Sequence, residues 1–70
     1  MNLDTAKNQV QSMVGKTMTF LYVGLRNQSE EFIGVITKCY PSTFLIETKD
    51  HVIKSFSYND FIIKNLKILS

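Results

Sequence analysis

The residues whose side chains could take part in chemistry are few and lie far apart in the sequence. His51 is the only histidine and Cys39 is the only cysteine. A zinc site needs several such ligands, and a nucleophilic cysteine needs a base within reach. With one residue of each kind, the sequence favours a surface turn histidine and a small buried cysteine over catalytic or metal-binding roles.

Two other short motifs resemble catalytic or phosphate-binding ones only superficially. Glu30 and Glu31 are adjacent, but paired carboxylates do acid–base work only when their environments differ strongly, and this pair lies in a polar stretch. Gly15-Lys16-Thr17 matches the end of a phosphate-binding loop, but the upstream glycine is replaced by Val10. The sequence therefore predicts a protein that is not an enzyme and holds no cofactor or metal.

Length and charge set the class of protein. A chain of 70 residues predicts one domain, 1–70, which buries only about 60% of the surface of its unfolded form. Self-association would bury more surface, so we expect a homo-dimer or a higher oligomer.

The net charge is +2, from eight basic and six acidic residues scattered along the chain. A lone cysteine, no signal peptide and no membrane-spanning run lead us to expect a cytoplasmic protein.

The first segment has the periodicity of a helix. Asp4 or Thr5 could cap its start, and Gly15 follows its last apolar position, where a left-handed cap is favoured. The pattern predicts a helix over about residues 4–14. Apolar residues spaced three and four apart form one stripe: Leu3, Ala6, Val10, Met13 and Val14.

Beyond Gly15 the pattern alternates with a period of two, which is typical of strands. A turn at Tyr40–Thr43 and a helical turn at Ser57–Asp60 interrupt it, and Gly34 predicts a bend within the second strand. Short strands with such a bend indicate a mainly β fold: an N-terminal α-helix followed by a five-stranded antiparallel SH3-like or Sm-like small barrel. The predicted strands are Lys16–Val23, Glu31–Cys39, Phe44–Thr48, Val52–Ser57 and Ile62–Leu69.

Two motifs give the chain a family resemblance. Tyr40-Pro41-Ser42-Thr43-Phe44 follows the strand that contains Gly34, and Ser55-Phe56-Ser57-Tyr58-Asn59-Asp60 comes after it. In these segments, and in Gly15-Lys16 after the first helix, the chain resembles the Veg family of small Firmicutes proteins over residues 3 to 69. The resemblance implies a small barrel without enzymatic activity that is associated with regulation of gene expression, notably of biofilm-matrix genes. Relatives commonly carry a basic cluster in the first loop, where this chain has only Arg26.

The leading hypothesis is a regulatory protein that binds a partner protein, a transcription regulator, and so alters gene expression. We expect the binding surface to join the two turns, because each carries a tyrosine, a residue type enriched at interfaces. Tyr40 and Tyr58 flank turns, so among the aromatic residues we expect these two to be partly exposed. The alternative is a structural role for both, with Tyr40-Pro41 as a rigid packing corner. The predicted partner-binding residues are Tyr40, Pro41, Ser42, Tyr58, Asn59 and Asp60.

The barrel topology favours a second hypothesis, an Sm-like module that binds RNA or DNA. Its predicted phosphate contacts are Arg26, Lys38 and Lys54, and such a protein would lose affinity steeply as salt rises. A third hypothesis, a purely structural subunit of an oligomer, predicts no cellular partner other than the chain itself.

Overall fold

A computed structural model describes residues 2–24 and 28–69. Helix α1 spans Leu3–Ser12 and buries Ala6 and Val10. Its cap is Asn2, not Asp4 or Thr5, because the Asn2 side chain accepts a hydrogen bond from the backbone N–H of Thr5 at 2.8 Å. Gly15 has a φ of +86°, which confirms the left-handed position predicted after the helix.

Five antiparallel strands follow the helix and form one sheet. They are β1 (Thr17–Val23), β2 (Ser29–Cys39), β3 (Thr43–Thr48), β4 (Ile53–Ser57) and β5 (Leu66–Ile68), with a short helix α2 (Tyr58–Ile62) before the last. The order across the sheet is β4-β3-β2-β1-β5. The predicted class, mainly β with an N-terminal helix and five antiparallel strands in a small barrel-like fold, is confirmed.

The predicted start of the fifth strand is wrong, because α2 continues to Ile62. Ser57 caps this helix and Asp60 completes a capping box, and the helical turn predicted at Ser57–Asp60 continues for two more residues, to Ile62. Lys64 then takes a left-handed φ of 66°, and β5 begins only at Leu66. The apolar residues Ile62 and Ile63 that suggested a strand belong instead to α2 and to its C-cap.

At Gly34, strand β2 pairs regularly with β1 and β3 and lies unusually close to β3. A Cβ placed on Gly34 would lie 2.7 Å from Ile46 Cγ2 and 2.8 Å from the backbone oxygen of Glu47, so β3 crosses at a distance that only glycine permits. The irregularity in this strand is a β-bulge between Ile36 and Lys38, shortly after the position where the sequence predicted a bend. The bulge adds to the curvature of the sheet around its core.

The core lies on the inner face of the curved sheet. Cross-strand partners share a face, so the pairs Phe20–Phe32, Ile36–Ile46 and Phe44–Phe56 identify that face. Helix α1 packs against α2 and β2 at one end of the sheet. Among residues 2–24 and 28–69, no helix is long and apolar enough to cross a membrane. The buried hydrophobic residues are Ala6, Val10, Phe20, Ile36, Phe44, Ile46, Phe56, Tyr58 and Leu66.

Candidate partner-binding surface

The fold brings the two predicted turns together. The backbone N–H of Tyr40 donates to the Thr43 oxygen at 2.7 Å, which closes the turn between β2 and β3. The N–H of Tyr58 donates to the Ser42 oxygen at 3.2 Å, so the first turn of α2 is tied to the same turn. Tyr40 is 46% exposed, and Pro41 and Ser42 are exposed beside it. The β2–β3 turn therefore presents a tyrosine on a hydrogen-bonded support.

Tyr58 is buried, which corrects the expectation that it is partly exposed. Its side chain is 1% exposed, its ring lies 5.3 Å from the ring of Phe44, and the Lys7 ammonium lies 5.8 Å from its centroid. Its hydroxyl has no nitrogen or oxygen partner among the described residues. Burial, together with the neighbouring Cys39 thiol, raises the pKa of Tyr58 to about 12. Tyr58 therefore supports the turn from the side of the core, and its ring is not accessible to a partner.

Asp60 acts as a capping residue of α2. Its carboxylate accepts a hydrogen bond from the Ser57 N–H at 3.3 Å, while its own N–H donates to the Ser57 hydroxyl at 3.1 Å. Asn59, next to it, is exposed. Of the six residues predicted for this surface, four are exposed: Tyr40, Pro41, Ser42 and Asn59.

The chain matches a known protein family over almost its whole length. The model of the family described as "Biofilm formation stimulator VEG" matches residues 1–69. The chain belongs to the Veg family. No curated protein and no solved structure matched it. The description connects this Veg-family chain with the stimulation of biofilm formation, and it names no enzymatic reaction.

The structure gives the two motifs behind the resemblance a common physical role. The first supplies Ser42 and Phe44, and the second supplies Phe56 and Tyr58. Phe44 contacts both aromatic residues, with ring centroids 6.2 Å from Phe56 and 5.3 Å from Tyr58. In this Veg-family chain the two motifs therefore form one packed unit.

The lysines predicted to contact phosphates lie apart from each other. Lys38 is paired with Leu45, which in turn is paired with Ser55 on the outer face of the sheet. Lys54 is on the inner face, where its Nζ lies 2.8 Å from Glu30 Oε1 and 5.4 Å from the centroid of the Phe32 ring. The two lysines therefore occupy opposite faces, and Lys54 already has an anionic partner. Arg26 lies outside the described residues.

The structure gives the positions and contacts of His51 and Cys39. His51 lies in the β3–β4 turn with a left-handed φ of 64°, and its Nδ1 is 3.1 Å from Glu47 Oε2 on the surface. Cys39 is half-buried and packs against the core. In the described ranges, no group of three or more histidine, cysteine or acidic side chains could hold a metal ion.

Sequence reasoning missed one feature, a cavity of about 690 Å³ at the open end of the inner face. Its walls include Tyr22, Glu30, Lys54 and Phe56. The period-two pattern contains a signal for it, because Lys54 shares a face with Phe56 and is thus an inward-facing charge. What the pattern lacks is the pairing register that places Tyr22 and Glu30 opposite each other.

Proposed function

We propose that this Veg-family chain is a non-enzymatic regulator that binds a partner protein through the β2–β3 turn and the start of α2. The partner we propose is a transcription regulator of biofilm-matrix genes. The family membership supports the biofilm role, and the observation that carries the binding proposal is Tyr40, an exposed tyrosine on a turn anchored to the core.

The anchoring matters because binding costs conformational entropy. Pro41 restricts the backbone of the turn, and the hydrogen bonds of Tyr40 and Ser42 tie it to Thr43 and Tyr58. A tyrosine held in this way presents a large amphipathic side chain that loses little freedom when it binds. Asn59 lies beside the turn and supplies an exposed carboxamide for hydrogen bonds at the rim.

Substitution of Tyr40 tests this proposal. In cells that lack the endogenous copy, we expect Tyr40→Ala to reduce partner recovery by about tenfold or more. Tyrosine is enriched among the hot-spot residues of interfaces, whose truncation costs about 2 kcal/mol or more, and about 1.4 kcal/mol already corresponds to a tenfold loss of affinity. The response of matrix-gene transcripts should be lost in parallel. Val52→Ala is the matched control, because Val52 is similarly exposed, at 52%, and lies at the opposite end of the β3–β4 hairpin.

The proposal fails if folded Tyr40→Ala protein recovers the same partner and supports the same transcript levels as the unaltered chain. The nucleic-acid alternative has less support, because Lys38 and Lys54 lie on opposite faces of the sheet. It predicts binding of mixed RNA or DNA that weakens steeply with added salt. Partner recovery that survives nuclease treatment favours the protein-binding proposal.

A further inference from the structure

Strand β4 has a free edge with a defined hydrogen-bonding pattern. Among the residues that the structure describes, it is the outermost strand on its side of the sheet and pairs only with β3. The Thr48 N–H donates to the Val52 oxygen at 2.8 Å, and hydrogen-bonded pairs recur at every second position of an antiparallel ladder. Lys54 and Phe56 therefore bond to β3, while the N–H and C=O groups of Ile53 and Ser55 point away from it. In the described part of the chain, no backbone group pairs with these outward groups.

The edge adjoins the cavity at the open end of the inner face. Phe56 and Lys54 belong both to the edge strand and to the cavity wall, and Tyr22 lies across from them, with its ring 5.4 Å from that of Phe56. On the outer side of the same strand, Ile53 is 54% exposed and Ser55 is also exposed. A further strand laid along this edge would thus find free backbone groups and an aromatic wall for one of its inward side chains.

We propose that the β4 edge binds an extended segment of the partner protein as an added antiparallel strand. The inference rests on the proposed function, because it assigns a second contact to the same protein partner. Within the bound segment, an aromatic or branched apolar residue lies opposite Phe56. Two positions later, a neutral hydrogen-bond acceptor lies opposite Lys54.

The side-chain preferences follow from the register. Residues of an added strand opposite Ser55 and Ile53 exchange hydrogen bonds with them and face outward, so the residues opposite Phe56 and Lys54 face the cavity. The Lys54 ammonium bonds Glu30 at 2.8 Å and has N–H donors left over. Since Glu30 already neutralises its charge, a carboxamide or hydroxyl fits better than a second carboxylate.

A second copy of this chain fits the edge poorly. If two copies paired through Ile53 and Ser55 of each β4 strand, Ile53 of one copy would lie opposite Ser55 of the other. The two Lys54 side chains would then face each other. A shift that avoids this places Ile53 opposite Ser57, whose N–H is already bonded to Asp60 at 3.3 Å. A shift in the opposite direction would place residues of one β4 strand against the turn of the other copy that contains His51. An inward-facing charge on an edge strand is a known defence against such self-pairing.

Designed peptides test the proposal directly. The probe is acetyl-Thr-Val-Phe-Thr-Gln-Val-Thr-amide, whose Phe is aligned with Phe56 and whose Gln is aligned with Lys54. We expect binding in the micromolar to millimolar range, with chemical-shift changes at the amides of Ile53 and Ser55. Methylation of the backbone nitrogens of the central Thr and the following Val should weaken binding by about tenfold or more, because these N–H groups donate to Ser55 and Ile53. Methylation of the Phe and Gln nitrogens, which point away from β4, is the matched control and should change binding little.

Variants of Ser55 test the edge from the protein side. Ser55→Pro removes an outward N–H that β3 does not use, a position where an edge strand tolerates proline, and should weaken peptide binding by about tenfold or more. Ser55→Ala removes only the hydroxyl and should bind as the unaltered chain does. The inference is overturned if the peptide does not bind at millimolar concentration, if both methylated peptides bind alike, or if the chain self-associates through Ile53 and Ser55 instead. A Ser55→Pro chain that still recovers the cellular partner through Tyr40 would overturn the edge contact and leave the proposed function intact.

Discussion

The buried hydroxyl of Tyr58 makes a quantitative prediction about alkaline stability. The pKa of this tyrosine is about 12 in the folded chain, against an ordinary value of 10.0, because burial disfavours the phenolate. The unfolded chain therefore loses the proton first, and the stability present below about pH 10 is lost as the pH rises towards 12. At about pH 11 the loss due to this one group should be about 1.4 kcal/mol, and it should approach about 2–3 kcal/mol above pH 12.

Tyr58→Phe isolates that contribution. At neutral pH we expect this variant to be as stable as the unaltered chain, or more stable by up to about 1 kcal/mol, because it removes a buried hydroxyl without a nitrogen or oxygen partner. Urea unfolding at about pH 8 and about pH 11 should then show the two stabilities diverging by about 1.4 kcal/mol. Tyr40→Phe, which removes an exposed hydroxyl, is the matched control.

Two results would refute this reasoning. If Tyr58→Phe and the unaltered chain lose stability equally between the two pH values, the hydroxyl does not resist ionisation in the fold. If Tyr58→Phe costs more than about 1 kcal/mol at neutral pH, the hydroxyl makes a stabilising hydrogen bond, and the neighbouring Cys39 thiol is the group to replace next.

Two further substitutions test the elements that shape the surface. Gly34→Ala should lower the free energy of unfolding by about 1–3 kcal/mol, because the new Cβ would lie 2.8 Å from the Glu47 backbone oxygen, which cannot move away easily. Urea unfolding measures this loss, and an unchanged midpoint would show that β2 and β3 can move apart at no cost. Ser57→Ala should cost about 1 kcal/mol by removing the cap of α2, with faster amide exchange at Asp60, and unchanged exchange there would contradict the capping role.

The sequence predicted most of the fold because its signals are local. The left-handed Gly15 and the turn at Tyr40–Thr43 depend on residues close in sequence, and the structure confirms both. The stripe of α1 is confirmed at Ala6 and Val10. The helix ends at Ser12 rather than near residue 14, however, and Leu3 and Val14 are exposed.

The end of α2 was harder to predict from the sequence, because Ile62 and Ile63 are compatible with a strand as well as with a helix. The capping box formed by Ser57 and Asp60 marks the start of this helix, whereas its end is set by the C-cap at Ile63 and the left-handed Lys64 that follows.

The candidate site was less predictable, because exposure depends on contacts between distant segments. Tyr40 and Tyr58 look alike in sequence, each beside a turn, yet one is exposed and the other lies against Phe44. The difference arises from the packing of α2 onto the β2–β3 turn, which no local pattern encodes. The cavity beside Lys54 was missed for the same reason, since its walls come from separate strands.

The position of β1 in the sheet has a consequence for biosynthesis. This strand is flanked by β2, its neighbour in sequence, and by β5, the last strand of the chain. Strands β1 to β4 can pair in order as they leave the ribosome, but one side of β1 stays open until Leu66–Ile68 emerges. During synthesis, therefore, the flank of β1 that β5 covers stays exposed for longer than the flank that pairs with β2.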